Sequence, residues 1–261
     1  MYSRLGGSRM SNVQQLNIHR QWSRAVAGTC ITVGAGVAAL TVAWSASPSL
    51  QFFAGVIAVL LFELLMLYRI IITHSSERTA SNTEQFTVAS WLTILRGAML
   101  PLLGGFILIE PTGTFIWAPA VLFAVAAGLD LVDGAVARAT ETVTDLGGKL
   151  DGGTDGIVVL VGSIAAVSQH AAPLLFLLVG CALYIFNTGK WYRRYHDRPV
   201  YELPQSQLRR VLGATIMALI FISLLPIVPT EYTRIAALVF MIPFLLTFIR
   251  DWLTVSGRIS A

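Results

Sequence analysis

Charge is what this sequence has least of. Only 12% of its 261 residues are Asp, Glu, Lys or Arg, about half the share carried by an average soluble domain, which excludes an ordinary water-soluble globule. Cysteine is scarcer still. Cys30 and Cys181 each stand alone in an apolar stretch, far from any C-x-x-C pair or His/Cys cluster, so neither a disulfide framework nor a zinc site follows. Basic residues outnumber acidic ones only 18 to 14, a surplus too small and too thinly spread for a nucleic-acid partner. No internal repeat is visible, and His19, His74, His170 and His196 are scattered, as interfacial side chains are.

What the chain has in abundance is apolar sequence, 55% of it. A transmembrane helix needs about 20 mainly apolar residues, and eight such runs occur: Ala25 to Trp44, Leu50 to Ile72, Thr87 to Ile109, Phe115 to Val132, Leu150 to Ser168, Ala172 to Thr188, Leu208 to Val228 and Ile235 to Phe248. The expected fold is an all-α, polytopic membrane helical bundle. With the N-terminus placed in the cytoplasm, the loops on that side hold 16 of the 18 Lys and Arg residues. The opposite connections are short and almost free of them. This is the positive-inside asymmetry, and it accounts for the net charge. It predicts a multi-pass protein of the cell (cytoplasmic) membrane with both termini in the cytoplasm. Residues 1–24 read as a cytoplasmic N-terminal segment, polar and without a cleavage site of the secretory kind. Residues 25–73 then form a two-helix transmembrane unit, 74–86 a polar linker, and 87–261 a six-helix core.

Ionisable side chains inside spanning segments are costly and mark function. Four carboxylates gather where the fourth apolar run ends and the fifth begins: Asp130 and Asp133, then Asp151 and Asp155. Their i,i+3 and i,i+4 spacings put each pair on one helical face. The connection between the pairs is short enough for the two faces to converge. Such a cluster repels itself unless a cation joins it, and an all-oxygen donor set suits two hard divalent ions, Mg²⁺ or Mn²⁺. Gly134, Gly147, Gly148, Gly152 and Gly153 leave bare backbone around it, as close approach of a phosphate-bearing ligand requires. The alternative, helix caps around a solvated loop, explains one Asp per helix end and not two on a face.

Taken together, Asp130-x-x-Asp133-Gly134-x-x-Ala137-Arg138, eight further residues, then Gly147-x-x-x-Asp151-x-x-x-Asp155 resembles the signature of the CDP-alcohol phosphatidyltransferases at all eight fixed positions. A second stretch, Ser90-Trp91-Leu92-Thr93-Ile94-Leu95-Arg96, is similar to the family's N-x-L-T-x-x-R, with Ser90 in place of the Asn. The resemblance covers the chain from about Thr87 onward. The first two helices lie outside it. It implies a six-helix catalytic core, a homodimer, and transfer of a diacyl- or dialkyl-glycerol phosphate group from a CDP-linked lipid to a small polar alcohol, with release of CMP, at the cytoplasmic face. It also implies that Asp130, Asp133, Asp151 and Asp155 hold two divalent ions and that Asp155 is the general base. Gly134, Ala137, Arg138, Gly147 and Thr93 would line the CDP site.

For the acceptor, Lys190, Arg193, Arg194, Arg198, Arg209 and Arg210 offer six cations that suit a phosphorylated alcohol such as glycerol phosphate or inositol phosphate. A cytoplasmic loop is basic in any case. Two other classes also place carboxylates in membrane helices. A membrane polyprenyl transferase also uses Asp-rich helices and Mg²⁺, but its motifs lie far apart in sequence. A cation transporter also carries buried carboxylates, but does not need Gly134, Ala137, Arg138 and Gly147 at these offsets. Glu63, in the middle of the second helix, is an intramembrane acid with no evident sequence partner, since Arg69 is off its face.

Overall fold

The structure is a computed structural model. It describes residues 12–43, 49–77, 88–139, 145–204 and 206–259, with the side chains of 12–19, 21, 43, 73–77, 88–90, 131–139 and 145–147 outside the description. Eight α-helices follow one another: α1 (Asn12–Ala43), α2 (Leu50–Glu77), α3 (Val88–Gly105), α4 (Ala118–Ala139), α5 (Asp145–Ser168), α6 (Leu177–Tyr195), α7 (Gln207–Ser223) and α8 (Thr230–Val255). Single 3₁₀ turns lead into α4 and α6. No strand occurs among the described residues.

Six stretches are long and apolar enough to cross a bilayer: Trp22–Val42, Leu50–Ile72, Gly113–Asp130, Gly148–Ser168, Leu174–Tyr195 and Thr230–Val255. The protein is a multi-pass membrane protein. The other two helices, expected as spans on the same footing, are shorter, with 18 residues in α3 and 17 in α7, or about 27 and 26 Å of rise. For α3 the reason lies in its surroundings. Protein encloses it on most sides, and Leu100, Leu102, Leu103 and Phe106 are all buried. It therefore faces other helices more than lipid.

Several helix limits extend past the apolar runs into polar sequence, whereas α3 and α7 stop short of theirs, at Gly105 and Ser223. α1 starts at Asn12, so a continuous helix enters the first span, and α2 continues to Glu77, past the start of the polar stretch at 74. Likewise α4 runs on to Ala139 and α5 begins at Asp145. All four signature Asp residues thus lie within helices.

Two cores share α3. One joins it to the later helices through Leu100, Leu103, Phe123, Ile157, Val161, Phe176, Ile216 and Ile220. The other packs α1 and α2 onto its opposite side through Val33, Phe52, Val56, Ala98, Leu102 and Phe106. Here two glycines set the spacing. A Cβ built on Gly55 of α2 would lie 2.3 Å from the carbonyl oxygen of Gly104, so the helices meet backbone to backbone, as small residues permit in membranes. Gly55→Val is expected to force α2 off α3 and cost about 1 to 3 kcal/mol. A lowered thermal midpoint of the detergent-purified protein checks this; an unchanged midpoint refutes it.

Nearer the other end of α2, Leu67 is buried with Leu150 of α5, and Trp22, Leu64 and Ile70 pack around them. The first two helices therefore reach the start of α5, next to Asp151.

Candidate active site

The site is built on three helices, and α3 contributes its centre. Arg96 is wholly buried, and a guanidinium in such a place must have anions around it. It has three. Its Nη1 pairs with Oδ1 of Asp130 on α4. Its Nη2 donates to Asp151 Oδ1 at 2.9 Å and to the Asp151 carbonyl oxygen at 3.2 Å, and it lies 3.2 Å from Asp155 Oδ1. Asp151 and Asp155 sit one turn apart on α5, so a single fork from α3 spans the acidic ends of α4 and α5. Charge-assisted bonds of this kind are short and directional, and they fix the approach of the two helices.

Arg96 does not exhaust the carboxylates. One oxygen from each of Asp130, Asp151 and Asp155 lies within 4.8 Å of the others. While the guanidinium is sealed off, the three carboxyl side chains remain 30%, 44% and 41% exposed. Among the described residues the acids outnumber the guanidinium they share, and each keeps an exposed side. A compact all-oxygen donor set of this kind fits a hard divalent ion.

The remaining expected residues divide by position. Thr93 is buried on α3, one turn before Arg96 and on the same face. Asp133, Gly134, Ala137 and Arg138 lie on the last turns of α4, and Gly147 on the first turn of α5. Their side chains, like that of Ser90, are outside the described residues.

Of the six cations expected near the acceptor, three make contacts within the bundle. Arg193 turns back on its own end of the bundle, donating to the Pro199 carbonyl from Nε at 3.1 Å and from Nη2 at 2.9 Å, and to the Ser256 carbonyl at 3.3 Å. Arg209 pairs with Asp251 of α8 at 3.2 Å and also donates to the Pro204 carbonyl. Together with a bond from the Tyr201 amide to the Val255 carbonyl, these contacts strap the α6–α7 connection to the end of α8. Lys190 lies over the Phe186 ring, 4.9 Å from its centre. Only Arg194, Arg198 and Arg210 present exposed side chains. The strap left no mark in sequence, because Arg209 and Asp251 stand 42 positions apart.

A bundle of spanning helices with a half-open acidic cluster at the junction of α3, α4 and α5 defines a membrane protein with a group of carboxylates that could hold a metal ion. The chain belongs to the CDP-alcohol phosphatidyltransferase family, whose model matches residues 86–253. Proteins named CDP-diacylglycerol--glycerol-3-phosphate 3-phosphatidyltransferase from Yersinia pestis and Yersinia pseudotuberculosis are 33% identical to it over 89 residues, or 33% of this chain and 46% of theirs. The Yersinia enterocolitica protein of that name is 32% identical over the same length. The match thus spans just under half the length of these curated relatives. No solved structure matches the chain significantly.

Proposed function

We propose that the protein transfers a phosphatidyl-type group from a CDP-linked lipid to the hydroxyl of a small phosphorylated alcohol, with glycerol phosphate as the first candidate, and releases CMP. The observation that carries this reading is the convergence of Asp130, Asp151 and Asp155 around Arg96 in a chain of this family. In the proposal, Asp130, Asp133, Asp151 and Asp155 hold two Mg²⁺ or Mn²⁺ ions. When bound, such ions neutralise the diphosphate and stabilise the charge that builds on it.

The chain's own residues supply the rest. Asp155, on the exposed edge of the cluster, takes the proton from the acceptor hydroxyl. The freed oxygen attacks the phosphorus that carries the lipid, the bond from that phosphorus to the oxygen bridging it to the cytidine phosphate breaks, and CMP departs with the bonding pair. Arg96 keeps the carboxylates in register from behind. Thr93 on α3, with Gly134, Ala137, Arg138 and Gly147 on the ends of α4 and α5, would receive the nucleotide. Exposed Arg194, Arg198 and Arg210 are the cations of the expected six best disposed toward an acceptor phosphate. The charge asymmetry of the loops supports a cytoplasmic site, where a water-soluble alcohol meets a donor whose tails stay in the bilayer. Homodimerisation belongs to the same reading.

The name borne by the relatives favours glycerol phosphate over inositol phosphate. Purified protein in detergent is given Mn²⁺ and CDP-diacylglycerol or its ether-linked counterpart, and CMP is measured with glycerol 3-phosphate, inositol phosphate, serine or no alcohol. Stimulation by glycerol 3-phosphate is expected to exceed that by serine at least about tenfold, since a basic acceptor site left without its phosphate loses charge-assisted bonds. Release driven best by serine overturns the phosphorylated-acceptor reading.

A further inference from the structure

Between α6 and α8 lies an open groove of about 420 Å³. Its walls are apolar throughout, with Leu178 and Phe186 of α6 facing Phe248 and Trp252 of α8. Ile185 and Ile249, also in its lining, are exposed, so it opens toward the bilayer. Among the described residues the backbones of α6 and α8 lie clear of α3 and α4, which separates the groove from the site built on Arg96. Gly189 closes it on α6. A Cβ there would lie 2.6 Å from Cζ3 of Trp252, so the bare backbone lets the indole rest against the helix.

Length and charge say what fits. From Leu178 to Gly189 the helix rises about 16 Å, close to half of the roughly 30 Å hydrocarbon core. The groove therefore runs the depth of one leaflet, the reach of a single acyl chain. At the Gly189 end stands a cation. Lys190 is half-buried, with its ammonium 4.9 Å from the centre of the Phe186 ring, and it has no carboxylate partner among the described residues. Beside it Trp191 and Tyr195 are exposed and stacked, their centroids 5.6 Å apart, as aromatic side chains are at headgroup level. An unpaired ammonium at that depth, at the end of a chain-length apolar slot, complements a lipid of net negative charge. A zwitterionic headgroup brings its own ammonium to the phosphate and gains less.

We propose that this groove binds an anionic phospholipid, with one acyl chain between α6 and α8 and Lys190 paired with the headgroup phosphate. The site gives Lys190 a ligand in the bilayer and not in the water. It is independent of the transferase reading, since neither the Asp cluster nor an ion takes part.

The test is quenching of tryptophan fluorescence by phospholipids with brominated chains, added to the full chain in detergent. Trp252 lies in the groove wall, and the difference between wild type and Trp252→Phe isolates its signal. Half-quenching of that signal is expected at about fivefold lower concentration of phosphatidylglycerol than of phosphatidylcholine with the same chains, the preference that one interfacial cation gives. Lys190→Gln should erase the preference, and Lys190→Arg should keep it. Equal quenching by the two lipids in the difference signal overturns the proposal without any Lys190 variant, and leaves an unselective lipid-facing surface. A Trp252 signal that neither lipid quenches also overturns it, and assigns the groove to a covering chain such as a second copy. A preference that survives intact in Lys190→Gln overturns it too, because the headgroup is then held elsewhere.

Discussion

Asp155→Asn is expected to lower CMP release by about 10² to 10⁴, the range associated with loss of a positioned general base. The substitution preserves volume and removes both the proton acceptor and a negative charge beside Arg96. Two effects then act together. The acceptor hydroxyl keeps its proton, and the cluster loses a negative charge, which weakens its hold on a divalent ion. They separate in kinetics: the loss of the base persists at saturating Mn²⁺, while weaker ion binding is recovered there. Folding should survive, because Arg96 keeps its bonds to Asp130 and Asp151. Near wild-type release by Asp155→Asn at saturating Mn²⁺ would end the assignment of this residue as base.

Chelation is the second large effect. With EDTA in excess, CMP release should fall to the level without enzyme, and Mn²⁺ or Mg²⁺ should restore it. The protein itself offers an independent readout. An ion that binds only the folded state stabilises it by about 2.7 kcal/mol when present at a hundred times its dissociation constant. The thermal midpoint of detergent-purified protein should therefore rise on adding Mn²⁺ without substrate. Undiminished turnover in chelator would exclude a role for metal, whatever the midpoint does.

Much of the architecture is legible in the sequence, because the bilayer imposes a length on apolar segments. All eight runs correspond to helices. What hydropathy could not give was where each helix stops, since it reports exposure to lipid and not backbone hydrogen bonding. Hence α4 continues through Asp133 to Ala139, and α5 starts at Asp145, although both extensions are polar. The joining of Asp130 to Asp151 and Asp155 was legible from helical spacing, and Arg96 from the rule that a buried guanidinium needs an anion. The strap from Arg193 and Arg209 to the end of α8 was not, because nothing local in those segments names a partner so distant. Glu63 was visible as an anomaly only. Its location, buried against Gly97 of α3, depends on the crossing of α2 over α3, which no one-dimensional pattern encodes.

The sharing of α3 between two cores has a consequence for how this protein divides. Kinship begins at residue 86, but packing does not respect that frontier, since Ala98, Leu102 and Phe106 of the first matched helix are buried with Val33, Phe52 and Val56 from the unmatched part. The inherited segment and the mechanical unit are therefore different objects. A cut at the start of the match would pass through the interior of a core and lay one flank of the Arg96 helix open to lipid. The leading pair of helices is thus a buttress grown onto the enzyme's wall, and not a separable appendage.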